Sequence, residues 1–494
     1  MRPVIARLLL LLPLLSFSTA FGVRVWIQSM EYAAPTGDDP AFHALAVVET
    51  ARNPNCILAH LFSRCTNPQV EATWQYPNII HVLLVPVYSL TQDPILTVKI
   101  LYTITGLFIA FIPVVVYIIA TRNLRGVSSA ALSSAWYLAS SFLVFNNIVY
   151  TYVEGSIFEL LGMMLLPLIV YYINRPFIAG LLTGLTIISY AATTLVLIAL
   201  APYIIAQGLK YLVKFATSYL LLTNIFFIKY LLLIITLITH GISSSLVGSR
   251  LAPIEALQLQ HPNKALVLLA LLPSITLAAV CAIRSRKALL IFTGYALFVL
   301  TAAVMWDRAL RYTPLFLYMV PILYQREERV ERIFAVAALG LAAFVLYNAQ
   351  FYAVLFQPTQ DLIRLDRNTA ELYGELAERL AAQNITRAAT ICQLSSYLLP
   401  ILQTRGITAY CLVNPAVGVP PTDPLHGPTQ ALEEALRRGD LTPLSTYFDV
   451  LIIEPPRRGA VYNPLQIALY RNLTQILKIE PRSGVYVVWI AKST

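Results

Sequence analysis

Acidic, basic and imidazole side chains gather at a few places in an otherwise apolar chain. The stretch Gly37-Asp38-Asp39-Pro40-Ala41-Phe42-His43 sets two adjacent carboxylates about one helical turn ahead of an imidazole, and His81 and Lys99 follow within apolar segments. Glu154 and Glu159 come later, and Asp307, Arg308 and Arg311 later still. Carboxylates take protons from hydroxyls or bind divalent cations, and guanidinium groups grip phosphate through paired hydrogen bonds. Together these are the parts of a site that transfers a group away from a phosphate. Each side chain also has a plainer role open to it. Asp38 or Asp39 caps the helix that follows, Glu154 and Glu159 favour a helix start, and Arg308 pairs with Asp307. His43 and His81 suit an interface, and Lys99 can extend its stem toward water.

The elements that must position these groups follow from composition. The chain has 494 residues, 58% hydrophobic and only 12% charged, against about 25% charged in soluble globular domains. This balance predicts a membrane protein. Residues 1–356 hold 22 Lys/Arg against 13 Asp/Glu, and residues 357–494 hold 13 against 12, so the basic excess lies in the apolar part. No basic face clusters on a soluble domain, which excludes a nucleic-acid partner. Five cysteines are too few for a disulfide scaffold and none has zinc-site spacing.

A helix crossing ~30 Å of hydrocarbon needs about 20 apolar residues. Such runs fall near 5–29, 94–121, 128–149, 155–173, 177–190, 192–208, 215–240, 264–283, 287–306, 310–324 and 332–356. Ser18-Thr19-Ala20 resembles a cleavage site, but apolar character continues to Trp26, which favours an uncleaved first span. Residues 78–92, short and broken by Pro86, read as an interfacial helix within a first external loop at 30–93. With the amino terminus cytoplasmic, the loop clusters Arg122/Arg125, Arg175, Lys210/Lys214, Arg284/Arg286/Lys287 and Arg326/Arg329/Arg332 fall inside. The expectation is a polytopic α-helical membrane protein of about 11 spans over 1–356, placed multi-pass in the plasma membrane. Arg308 and Arg311 depart from the charge rule on the outer side, which marks them as functional.

Residues 357–494 read as an extracytoplasmic α/β domain. Helices are predicted near 360–383, up to Arg405 and at Thr429–Arg438, with strands at Ala388–Gln393, Ile407–Val413, Asp449–Glu454 and Gly484–Ile490. The alternation predicts a partly parallel sheet with helix crossovers. Cys392 and Cys411 would sit on strands joined by one crossover, a geometry that allows a bridge, and Cys56 and Cys65 form a second candidate pair. Asn384-Ile385-Thr386 and Asn472-Leu473-Thr474 are glycosylation sequons.

The motifs GDDPAFHALAV, YPNIIHVLLVPVYSL, YVEGSIFELLG and DRALRYTPLFLYMVPIL, taken in this order, resemble the GT-C superfamily of membrane glycosyltransferases. Its members include protein O-mannosyltransferases, aminoarabinose transferases and oligosaccharyltransferase catalytic subunits. The resemblance extends over the whole architecture, though each motif is short. It implies transfer of a sugar from a polyprenyl-phosphate-linked donor to an extracytoplasmic acceptor that is protein, lipid or glycan. By that resemblance Asp39, or its neighbour Asp38, is the catalytic base or a metal ligand, and Glu154 is the second acidic element. Arg308 and Arg311 hold the lipid phosphate. Apart from the resemblance, His43, His81 and Lys99 are candidate substrate contacts, since an ionisable group within an apolar run is costly and functional by default. A divalent ion, Mg or Mn, on Asp39 and Glu154 is implied, with membrane lipid as a further partner. The chain lacks a WWDYG motif and a second-loop DxD, which argues against en bloc N-glycosylation.

Two rival readings come from other classes. A transporter or lipid flippase would carry ionisable residues near mid-membrane, and here Lys229 is the main central charge. A non-catalytic relative of the superfamily would use its soluble domain to recruit partners.

Overall fold

The structure, a computed structural model, describes residues 2–35, 39–58, 65–73, 79–123, 165, 168–189, 195–239, 279, 282–283, 285–305, 365–392, 394–415, 424–456, 464–479 and 485–490. The chain divides into two compact units. The first gathers residues 1–27, 103–228 and 250–357, and the second residues 28–102, 229–249 and 358–494.

The helices of the first unit follow the apolar runs. They are α1 (Arg2–Glu31), α5 (Pro94–Asn123), α6 (Pro176–Ser189), α7 (Leu195–Ala206), α8 (Leu209–Thr239) and α9 (Arg286–Met305); residues 28–31 of α1, 94–102 of α5 and 229–239 of α8 belong to the second unit. Close approach between helices relies on glycine. A Cβ on Gly180 of α6 would lie 2.1 Å from Ser218 Oγ and 2.3 Å from Phe215 O of α8. One on Gly294 of α9 would lie 1.9 Å from Ala199 O of α7, so any larger residue would push these backbones apart. Between the helices, Asn174 Oδ1 accepts from both Tyr203 Oη and Lys287 Nζ at 2.9 Å.

Among the described residues no helix is long and apolar enough to cross a membrane. This corrects the expected polytopic membrane architecture of about 11 spans, and with it the multi-pass plasma-membrane localisation. At 14 and 12 residues, α6 and α7 reach only about 21 and 18 Å at 1.5 Å per residue, short of ~30 Å of hydrocarbon. The longer helices carry polar groups within them: Arg24 and Gln28 in α1, Lys99 in α5, Lys210 and Lys214 in α8. The apolar runs near 128–149, 310–324 and 332–356 lie outside the described residues.

The second unit is built on a four-stranded sheet of β1 (Arg387–Ile391), β2 (Thr408–Leu412), β3 (Val450–Ile453) and β4 (Tyr486–Trp489), ordered β2-β1-β3-β4. The strand β1 runs parallel to β2, from Arg387↔Thr408 to Ile391↔Leu412, and parallel to β3, from Ala388↔Val450 to Thr390↔Ile452. The strand β4 closes the sheet antiparallel, pairing Val450↔Trp489. Near-continuous apolar runs such as Val450-Leu451-Ile452-Ile453 suit central strands covered on both faces. The crossover helices are α11 (Leu398–Thr404) and α12 (His426–Arg438), flanked by α10 (Arg367–Ala382) and α13 (Pro464–Ile476). Ile391, Leu432, Phe448, Leu451 and Leu469 meet in the core. The strands thus lie within a residue or two of the positions that alternation of apolar runs and turns indicates.

The amino-terminal part of this unit contributes α2 (Asp39–Arg52), α3 (Pro68–Thr73) and α4 (Ile79–Thr91). Helix α2 is fastened to the α/β layer by buried polar groups. Glu49, 1% exposed, accepts from Thr66 N at 2.6 Å, Asn67 N at 3.3 Å and Gln403 Nε2 at 3.0 Å. Asn67 Nδ2 donates to Gln403 Oε1 at 3.0 Å and Ala409 O at 3.1 Å, and Cys411 N donates to Gln69 Oε1 at 3.3 Å.

Both cysteine pairs are bonded, Cys56 to Cys65 and Cys392 to Cys411, with Cα separations of 4.5 and 4.9 Å. They close segments of 9 and 19 residues, for which loop-closure entropy gives about 3 kcal/mol each. Replacing Cys392 and Cys411 together by Ala should therefore lower the unfolding free energy of this unit by about 3 kcal/mol, measured by urea denaturation. An unchanged midpoint would mean that the bridge adds nothing to the fold.

Candidate functional site

Helix α2 begins where Asp39 and Pro40 begin it. A carboxylate in the first turn suits the partial positive charge there, and proline lacks only a donor that the first turn leaves unused. The 3.6-residue period then sets His43 one turn beyond Asp39 on the same face. Helix α4 packs against α2 and brings His81 to His43, so that His43 Nδ1 lies 3.0 Å from His81 Nε2. The two rings are tilted by 40° with centroids 5.2 Å apart. Residues 38 positions apart in the chain thus form one hydrogen-bonded pair, one nitrogen donating and the other accepting.

Burial sets the charge state of the pair. His81 is 0% exposed, and loss of water pushes its pKa down to about 3. His43 is also pushed well below the ordinary range, by burial and then by the neighbouring His81. Both rings are therefore neutral at physiological pH, the state that allows a direct nitrogen-to-nitrogen hydrogen bond.

A pH dependence follows. Unfolded His81 takes up a proton near its ordinary value of 6.5, whereas folded His81 resists until about 3. The unfolded chain binds more protons between those values, so the pair's stability is complete above about pH 6.5 and is lost as the pH falls toward about 3. The slope should be about 1.4 kcal/mol per pH unit for each such histidine. Urea unfolding between pH 7.5 and 5 measures it, and His81→Gln should remove the share due to His81. An acid-side slope unaltered by that substitution would refute the assignment.

The chain leading into α2 is held from three directions. Lys99 Nζ donates to Tyr32 O at 2.9 Å, Ala33 N donates to Leu365 O at 2.9 Å, and Tyr397 Oη donates to Pro35 O. Lys99 is half-buried, and its pKa is lowered by burial and then by Arg367, against the opposing pull of Asp93. These contacts aim the start of α2, and with it Asp39. At the other end of the helix, Arg52 donates to Thr404 O at 2.7 Å, while Glu49 meets Gln403 of α11.

The structure therefore brings His43 and His81 into contact, sets Asp39 one turn from His43, and places Lys99 on the backbone that leads to Asp39. Asp38, Glu154, Arg308 and Arg311 lie outside the described residues, as does Glu159. Among the described residues no three His, Cys, Asp or Glu side chains gather as a metal ion would need. Three residues with a part in the site were not singled out by sequence: Glu49, Tyr397 and Arg367. Each has a partner hundreds of residues away in the chain, Gln403, Pro35 and Lys99 respectively, and no local spacing signals such a contact.

No known family model and no curated protein matches the chain.

Proposed function

We propose that the chain is a glycosyltransferase that moves a sugar from a polyprenyl-phosphate-linked donor to an acceptor hydroxyl. The observation that supports this best is the neutral His43–His81 pair, half-buried at His43 and fully buried at His81, one helical turn from Asp39. Asp39 accepts the proton of the acceptor hydroxyl. The acceptor oxygen attacks the anomeric carbon from the side opposite the phosphate. The bond from that carbon to the phosphate oxygen breaks, and its electron pair leaves with the polyprenyl phosphate, so the configuration inverts.

The histidines serve this step by remaining uncharged. An imidazolium one turn from Asp39 would favour the carboxylate's charged form and make it a weaker proton acceptor. Neutral rings spare it that effect. By the resemblance of their motif, Arg308 and Arg311 are assigned to the phosphate, where fixed positive charge stabilises the departing anion.

The test is transfer of radiolabelled sugar to lipid and protein acceptors from a panel of polyprenyl-phosphate sugars by the purified full chain. Label reaching the acceptor supports the reading. Failure with every donor, in detergent and in liposomes, overturns it.

A further inference from the structure

The sheet order of the second unit singles out one place. From β1 the chain steps to β2 on one side, then crosses back over to β3 on the other. Connections that leave β1 and β3 in opposite directions open a crevice at the carboxyl ends of those strands, the common ligand position in open α/β sheets.

Two buried polar side chains lie at this end. Glu454 follows β3 directly, is 7% exposed, and accepts a hydrogen bond from Tyr373 Oη of α10, itself 1% exposed. Ser395 lies in the turn after β1. Its backbone is engaged, N to Ile391 O at 3.3 Å and O from Leu398 N at 3.0 Å. Its side chain is 2% exposed, and Oγ makes no hydrogen bond. A hydroxyl removed from water without a partner costs stability, as does an enclosed carboxylate, and alanine at 395 would avoid the first cost.

We infer that Glu454 and Ser395, at the carboxyl ends of β3 and β1, bind the hydroxyl groups of a saccharide, the acceptor of the transfer reaction. A carboxylate only accepts hydrogen bonds, so the ligand must donate them. It repels phosphates and other anions, whereas a sugar hydroxyl can donate to it beside Tyr373, since each carboxylate oxygen accepts more than one hydrogen bond. The Ser395 hydroxyl both donates and accepts, matching a third hydroxyl or a ring oxygen. This end of the sheet also meets the chain that leads to Asp39, through the bond from Tyr397 Oη to Pro35 O. The assignment rests on the glycosyl-transfer reading for the identity of the ligand, while the site itself rests on the sheet topology and the two side chains.

The experiment has a binding arm and a kinetic arm, both on the purified full chain. Saturation-transfer NMR titrations use methyl α-D-mannopyranoside, methyl β-D-glucopyranoside and adenosine as separate probes, with wild type, Glu454→Gln and Ser395→Ala. A glycoside should bind wild type, and each variant should weaken it about tenfold. Glu454→Gln retains an acceptor for Tyr373, and Ser395→Ala should melt no lower than wild type, so neither loss would reflect misfolding. In the transfer assay both variants should raise the KM for the acceptor with kcat little changed. Equal glycoside binding by all three proteins, or none by wild type, overturns the site. Tighter binding of adenosine than of either glycoside overturns the saccharide assignment. Glycoside binding that depends on Glu454, without transfer from any donor, keeps the site and removes the glycosyl-transfer reading. Transfer with unchanged KM in both variants does the reverse.

Discussion

Asp39→Asn is expected to lower kcat for sugar transfer by about 10²–10⁴-fold, the usual contribution of a positioned general base, with KM for the donor changed little. Asparagine matches aspartate in size and also suits a helix start, so α2 should form as before. What the substitution removes is the proton acceptor. The expected result, a large loss in kcat with unaltered thermal melting, separates this role from a purely capping role, which asparagine also fills and which would leave both kcat and melting unchanged. Initial rates with saturating donor, together with a melting curve, decide between them. Activity within about threefold of wild type would show that the proton leaves by another route; that threshold is far below the general-base range.

Glu49→Ala should have the largest effect on stability, a loss of about 3–5 kcal/mol by urea denaturation, since three buried donors lose their acceptor at about 1–3 kcal/mol each. The alanine would leave Thr66 N, Asn67 N and Gln403 Nε2 without their acceptor in a site that is 1% exposed at Glu49. Each orphaned buried donor carries its own desolvation cost. Glu49→Gln keeps one acceptor oxygen and should cost less. Because α2 also carries Asp39 and His43, the alanine variant should lose transfer activity at temperatures where wild type remains active. A loss below about 1 kcal/mol would mean that water enters and replaces the partners, and that the network does not fasten α2.

Local chemistry made some elements legible in advance. Asp39-Pro40 marks a helix start by first-turn preferences, and the structure begins α2 at Asp39. The runs around Ala389, Ala409 and Leu451 are short, apolar and bounded by turn residues, and they form β1, β2 and β3. Pro86 did not break the segment near 78–92 into two, because its neighbours carry α4 from Ile79 to Thr91 around it. The described apolar runs near 5–29, 94–121, 177–190, 192–208, 215–240 and 287–306 are helical as their composition required, but the membrane-spanning assignment was not met among the described residues. Hydropathy records that a surface avoids water, not what covers it: helix packing through Gly180 and Gly294 covers part of it, while Phe108, Ile205 and Leu221 stay exposed.

The candidate site divides in the same way. That Asp39 and His43 share a helix face follows from 3.6-residue periodicity and was readable from their spacing. That His43 touches His81 was not, since 38 residues separate them and only the packing of α2 on α4 closes the distance. Cysteine identity suggested the pairs Cys56–Cys65 and Cys392–Cys411, and strand geometry brought the second pair's Cα atoms to 4.9 Å. Glu49 with Gln403, Tyr397 with Pro35 and Ala33 with Leu365 join parts of the chain more than 300 residues apart. The sequence by itself thus determined where helices and strands form, because propensity, capping and periodicity act over a few residues. Tertiary structure alone decided which polar groups meet and which histidines stay neutral, because burial and hydrogen-bond pairing depend on neighbours that only folding supplies.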